Sequence, residues 1–189
     1  MKNTKIKQFL QSFVAIPIFA VTMPVVGVPA ITPMTPEIAN ISNVIETSLI
    51  TPEEESIRKE QAKIIDDFLT KRKSPLAGYG RKFVDEAAKN DLDYRLLVAI
   101  SGRESTFALH ACKKATNSFL GYGSCKMDFK SPDEAIEIVS ARLGGQSNYY
   151  HEEMTTYQIL RKYNTVIKNY PNEVIRIMDM IGPAPEELA

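Results

Sequence analysis

What a metal centre would need is scarce in this sequence. It holds two histidines and two cysteines in 189 residues, and they do not fall at ligand spacing, so no metal site and no cofactor is implied. An excess of charge is lacking too: Lys+Arg and Asp+Glu each total 23. Lys2, Lys5 and Lys7 carry all the charge of the first thirty residues, which leaves 20 of the 23 basic side chains against 23 acidic ones beyond them. That slightly acidic remainder excludes DNA, RNA or an anionic membrane surface as partners bound through bulk electrostatics, because such partners need a basic field. Internal repeats, low-complexity tracts and a series of strand-like alternations are also missing, and the expected fold is mostly α.

The length and the 44% apolar content suit one domain with attachments rather than two domains. Residues 1–30 read as an export signal, with a lysine-bearing start, an apolar stretch from Phe13 to Val28 and small residues in Val28-Pro29-Ala30. Cleavage after Ala30 is the preferred reading. An uncleaved membrane anchor is the alternative, and Pro17, Pro24, Gly27 and Pro29 make the stretch a poor uninterrupted helix. Either way the functional part lies outside the cytoplasm: extracellular, in the wall or in the periplasm. Cys112 and Cys125 both fall there, and an oxidising compartment makes a disulfide the default. Closing that loop contributes about 3 kcal/mol in the chain-entropy view. A cysteine peptidase using His110 or His151 as base is the competing reading.

Residues 31–50 lack a sustained period and read as a linker. From residue 51 to 73 the pattern is an amphipathic helix: Thr51-Pro52-Glu53-Glu54 forms a capping box, and Ile57, Gln61, Ile64, Ile65, Phe68 and Leu69 follow at helical spacing. It either packs on the domain or serves as a stalk, and its charges read as a solvated face. A catalytic domain is expected over 76–182, with residues 183–189 as a tail. Its helices are signalled by Phe83, Val84, Ala87 and Ala88, then by Asp93 as N-cap before Leu96, Leu97 and Ile100. Ser131-Pro132-Asp133-Glu134 reads as a second capping box before a helix stopped at Gly144-Gly145, and two more helices are expected near Thr155 to Lys162 and Pro171 to Ile181.

Glu104 lies four residues after Ile100 and seven after Leu97, so helical phase aims it toward the core at a helix end. A carboxylate placed so is partly desolvated and suited to general acid work. The bland alternative is an exposed glutamate at a fraying terminus, paired with Arg103 or Arg95.

The segment Glu104-Ser105-Thr106-Phe107 resembles the Glu-Ser-x-Phe motif of lytic transglycosylases and related goose-type lysozymes. Asp93 to Ile100 resembles the family's approach to its catalytic glutamate. Asn117 to Cys125 stands where the family has a glycine-containing loop over the sugar cleft, and Tyr163-Asn164, with Tyr170 and Val174 beyond, resembles its Tyr-Asn motif. The likeness spans about residues 76 to 181. Where commoner members have a Gly-Leu-Met-Gln loop, this chain has Gly121-Tyr122-Gly123-Ser124-Cys125, closer to exported wall glucosaminidase-like domains in which a cysteine-bounded loop precedes a helix such as Phe129 to Ala135.

The resemblance implies a lysozyme-like domain acting on peptidoglycan glycan strands, with Glu104 and Tyr163 catalytic. Ser105, Asn117, Gly121, Tyr122, Ser124 and Asn164 would contact substrate, and Tyr149 and Tyr150 are further stacking candidates. No second carboxylate is fixed by motif; Asp128, Asp133 and Glu134 are near only in sequence, and the last two are better helix-start residues. One glutamate is then expected to do the work, as a transglycosylase or as a hydrolase, in a monomer that meets a membrane only through an uncleaved N-terminus. A wall-binding module without catalysis is the rival from another class.

Overall fold

The computed structural model describes residues 50–188 apart from Cys125 and Glu152. The expected export segment 1–30, and the linker up to residue 49, lie outside the described residues. The described part is all α: α1 (Pro52–Lys71), α2 (Gly80–Lys89), α3 (Leu96–Ser105), α4 (Pro132–Leu143), α5 (Thr156–Tyr163) and α6 (Tyr170–Ile181), followed by a single 3-10 turn, Pro185–Glu187. Among the described residues there is no strand beyond an isolated bridge between Cys112 and Ala115. No described helix is long and apolar enough to cross a membrane.

Local chemistry sets the helix starts. The Thr51 hydroxyl accepts from Glu54 N at 3.1 Å while Glu54 Oε2 accepts from Thr51 N at 2.9 Å, the reciprocal box expected there. Thr155 and Gln158 repeat it at α5. At α4 only half of the expected box forms: Ser131 Oγ caps Glu134 N, but Glu134 Oε2 reaches past it to Lys130 N at 2.6 Å. Asp93 does not begin α3 directly. Its carboxylate accepts from the backbone and guanidinium of Arg95, and the regular helix starts at Leu96.

α1 is no stalk. It buries Gln61, Ala62, Ile65, Phe68 and Leu69 and packs on α2 and α6. Its charges are not simply solvated either: Asp66 Oδ1 accepts from Gly78 N and Gly80 N, capping α2 from a neighbouring helix. Ala88, expected on the buried face of α2, is exposed, because that face is made by Phe83, Val84, Glu86 and Ala87. α3 runs through the middle, every residue from Leu96 to Ser101 buried, with α2 and α6 packed against it. The tail is tied back by Arg95, which donates to Gly182 O, and by Tyr94, which donates to Pro183 O, both at 2.9 Å.

Candidate active site

The place of Glu104 follows from how α3 stops. Thr106, Phe107 and Ala108 take positive φ of 53°, 57° and 65°, a left-handed turn of three side-chain-bearing residues that costs on the order of 1–2 kcal/mol each without support. Support comes from all sides. Ser105 Oγ lies 2.6 Å from Phe119 O and accepts from Ala108 N at 2.9 Å, His110 N donates to Ser105 O at 2.8 Å, and Ser74 Oγ donates to Phe107 O at 2.8 Å. The turn swings the Phe107 ring back under α3, where a Cβ on Gly102 would meet it at 2.5 Å, and onto Phe68 in an edge-to-face pair at 5.3 Å.

Helical phase therefore misjudged the glutamate. α3 is buried around its whole circumference up to Ser101, so its stripe carries no direction, and the residue that turns inward at its end is Ser105, with Glu104 exposed on the lip. It is exposed, as in the bland reading, but not paired with an arginine, for Arg95 is engaged by Asp93 and Arg103 by Glu173, each at 2.7 Å. Instead the buried Tyr170, at the first position of α6, donates its hydroxyl to Glu104 Oε1 at 2.7 Å. On the other side the loop backbone presses in at Gly121, where φ is +70° and a Cβ would collide with Glu104 Oε2 and stand 2.9 Å from Cδ. A glycine is required there on both counts.

A cleft of about 370 Å³ opens beside this glutamate. The loop contributes Gly121, Tyr122, Gly123 and Ser124 to its wall, α4 contributes Arg142, and Ser147, Tyr149 and Tyr150 follow from the next loop. α5 closes it with Lys162 and Tyr163. Glu104 does not itself line the cleft and borders it only through Gly121, which packs on its carboxylate. Three rings lead from cleft to acid: Tyr122 lies 6.0 Å from Tyr163, and Tyr163 stacks at 6.1 Å and 13° on Tyr170. Burial pushes the Tyr163 phenol well above its ordinary value, with Tyr170 and Glu104 adding to it. Burial, then the hydrogen bond to Glu104, does the same to Tyr170, and burial likewise raises Tyr150. These phenols hold their protons, so Tyr170 stays a donor.

Gly121, Tyr122, Ser124 and Tyr163 come together in the cleft, as do Tyr149 and Tyr150. The Tyr163 hydroxyl donates to Leu120 O at 2.5 Å, and Tyr170 is the tyrosine that touches the glutamate. Three expectations need correction. Ser105 is buried and spends its hydroxyl inside the protein. Asn117 braces the loop by donating to Phe129 O at 2.7 Å, and Asn164 folds its carboxamide onto Val166 N and Ile167 N. All three therefore position backbone rather than face the cleft. Cys112 carries no free thiol, while its expected partner Cys125 lies outside the described residues.

Asp133 and Asp128 are exposed, and Glu134 is occupied with the start of α4. Sequence reasoning passed over Tyr170 as a contact to the acid, and over Arg142 and Lys162 altogether. Only the position of Tyr170 six residues after Asn164 hinted at it; nothing local marked the two cations. The chain matches no family model, no curated protein and no solved structure.

Proposed function

We propose that this protein cleaves the glycan strands of peptidoglycan with Glu104 as its acid and base, in a lysozyme-like helical domain acting outside the cytoplasm. One observation carries the reading: Glu104 is fixed between the Tyr170 hydroxyl and the Gly121 backbone at the margin of a cleft walled by tyrosines. The likeness of Glu104 to Phe107, and of the glycine loop, to lytic transglycosylases and goose-type lysozymes supports it from the sequence. Tyrosine faces and a loop with glycines at 121 and 123 suit a flat, hydroxyl-rich ligand.

In this reading the two carboxylate oxygens have different tasks. Oε1 accepts from Tyr170, which leaves Oε2, beside Gly121, to carry the transferable proton. Glu104 gives that proton to the glycosidic oxygen as the bond to the anomeric carbon breaks, and the substrate's own N-acetyl oxygen bonds to that carbon from the opposite side. Glu104 then takes a proton from the sugar's 6-hydroxyl or from water as that oxygen bonds to the anomeric carbon and displaces the N-acetyl oxygen, which closes an anhydro ring or gives a reducing end. The resemblance favours the anhydro product. Cys112 and Cys125 form the disulfide of the intervening loop in this reading, which removes the cysteine peptidase alternative.

The test is product analysis by mass spectrometry after incubation with purified peptidoglycan. Anhydro ends mark a transglycosylase and reducing ends a hydrolase. Binding to the strands with neither product would leave the wall-binding module as the function and sink the enzyme.

A further inference from the structure

Four of the eight arginines face a carboxylate: Arg58 and Arg81 meet Asp85, Arg95 meets Asp93 and Arg103 meets Glu173. Arg142 and Lys162 do not. Among the described residues neither forms an ion pair, and no carboxylate lines the cleft to which both belong. The Arg142 guanidinium lies 5.2 Å from the Tyr122 ring centre, with Nη1 3.6 Å from the Met127 sulfur, a weak acceptor. Lys162 Nζ lies 4.7 Å from the Tyr149 ring centre and donates to Tyr149 O at 2.5 Å. Each cation is therefore held in place by an aromatic face, on the last turn of a rigid helix, with donors left over. Two like charges in one concavity, in a chain whose total charge is balanced, raise the local concentration of anions.

We infer that the part of the cleft lined by Arg142 and Lys162 is a subsite for a carboxylate carried on the substrate. Naming that substrate a glycan rests on the function proposed above. A planar guanidinium with free donors meets a carboxylate through two parallel hydrogen bonds, and the ammonium adds a point charge. The carboxylate is either the lactyl group of a strand freed of peptide or an acid of the peptide stem. In both cases the subsite selects acidic wall glycan over neutral amino-sugar polymers.

The experiment uses the full chain as wild type, R142Q, K162Q and the double variant. The substrates are stem-bearing strands, peptide-free strands with free lactyl carboxylates, the same strands as methyl esters, and neutral N-acetylglucosamine oligomers. The wild type should prefer acid over ester by about tenfold or more in kcat/KM, a charge-assisted pair's worth. The double variant should lose the preference, its kcat/KM on the acid falling to its own level on the ester, with its unfolding midpoint intact. Preference for stem-bearing or for peptide-free acid strands identifies the source of the carboxylate. Equal use of acid and ester by the wild type, or an equal loss on both in the double variant, overturns the subsite. If no strand is cleaved, the catalytic reading fails on its own, and calorimetric binding of the acid and ester strands still decides the subsite by the same discrimination.

Discussion

The seam between α1 and α2 and the cleft beside Glu104 each present two basic side chains, and they employ them in opposite ways. At the seam Arg81 donates to Glu55 at 2.7 and 2.9 Å and to Asp85 at 2.8 Å, with Arg58 3.5 Å from the same aspartate. In the cleft Arg142 and Lys162 rest on tyrosine rings and meet no acid. Charge neutralised within the fold joins elements; charge left open over a concavity meets what enters it. The difference separates residues whose loss should move stability from residues whose loss should move turnover.

The sharpest division is expected at Glu104. Replacing it with Gln keeps its shape and removes the transferable proton, so dye release from labelled peptidoglycan should fall by about 10²–10⁴-fold. The carboxylate is exposed, so the unfolding midpoint should hold. A Gln variant with most of the wild-type turnover would show that Glu104 is not the acid and would dissolve the contrast. Gly121→Ala comes next and should cross the divide. It places a Cβ against Glu104 at a left-handed position, so turnover should drop while stability falls by about 1–2 kcal/mol. Unchanged kinetics in that variant would mean that the loop does not hold the acid.

A smaller effect is expected from Tyr170→Phe. Losing the donor to Oε1 should lower turnover by about tenfold. The same variant reads out in alkali. Tyr170 is held above its ordinary value of 10.0 by burial and by Glu104, so its contribution to stability is complete below pH 10.0 and is lost as pH rises toward the folded value. Denaturant titrations across that range should show a shallower alkaline decline in the Phe variant, and an identical decline would contradict the buried phenol.

The smallest effect belongs to Arg81→Gln at the exposed seam, where only a slight fall in the thermal midpoint is expected. The Arg81 guanidinium beside Glu55 holds that carboxyl below its ordinary 4.5, so the pairing contributes fully above pH 4.5 and fades as pH falls through the depressed value. Wild type and variant should therefore converge in acid. Turnover should not change, and a kinetic effect here would blur the two regions.

Much of the helical frame was legible because its signals are local. The box at Thr51 acts over three residues, and the stripe from Gln61 to Leu69 marks the face that α1 buries, whereas the box at Thr155 went unread beside a helix expected to start there. The cap of α2 was not legible, since Asp66 supplies it from another helix. Glu104 was legible as a motif and not as a direction, because a helix buried on every side has no informative face. Tyr170, Arg142 and Lys162 escaped for one reason: each belongs to the site only through partners brought in from distant segments, Glu104, Tyr122 and Tyr149 among them.

The left-handed turn after Ser105 has a consequence in time. Its supports are Ser74, Phe68 and Phe119, segments that lie on both sides of it in the chain and come together only as the domain closes. Until they meet, only the short-range bonds from Ala108 N to Ser105 Oγ and from His110 N to Ser105 O favour three consecutive left-handed residues. Glu104 is thus placed by contacts that only the assembled domain supplies. An unfolded chain holds the glutamate without the Tyr170 hydroxyl and the Gly121 backbone against it.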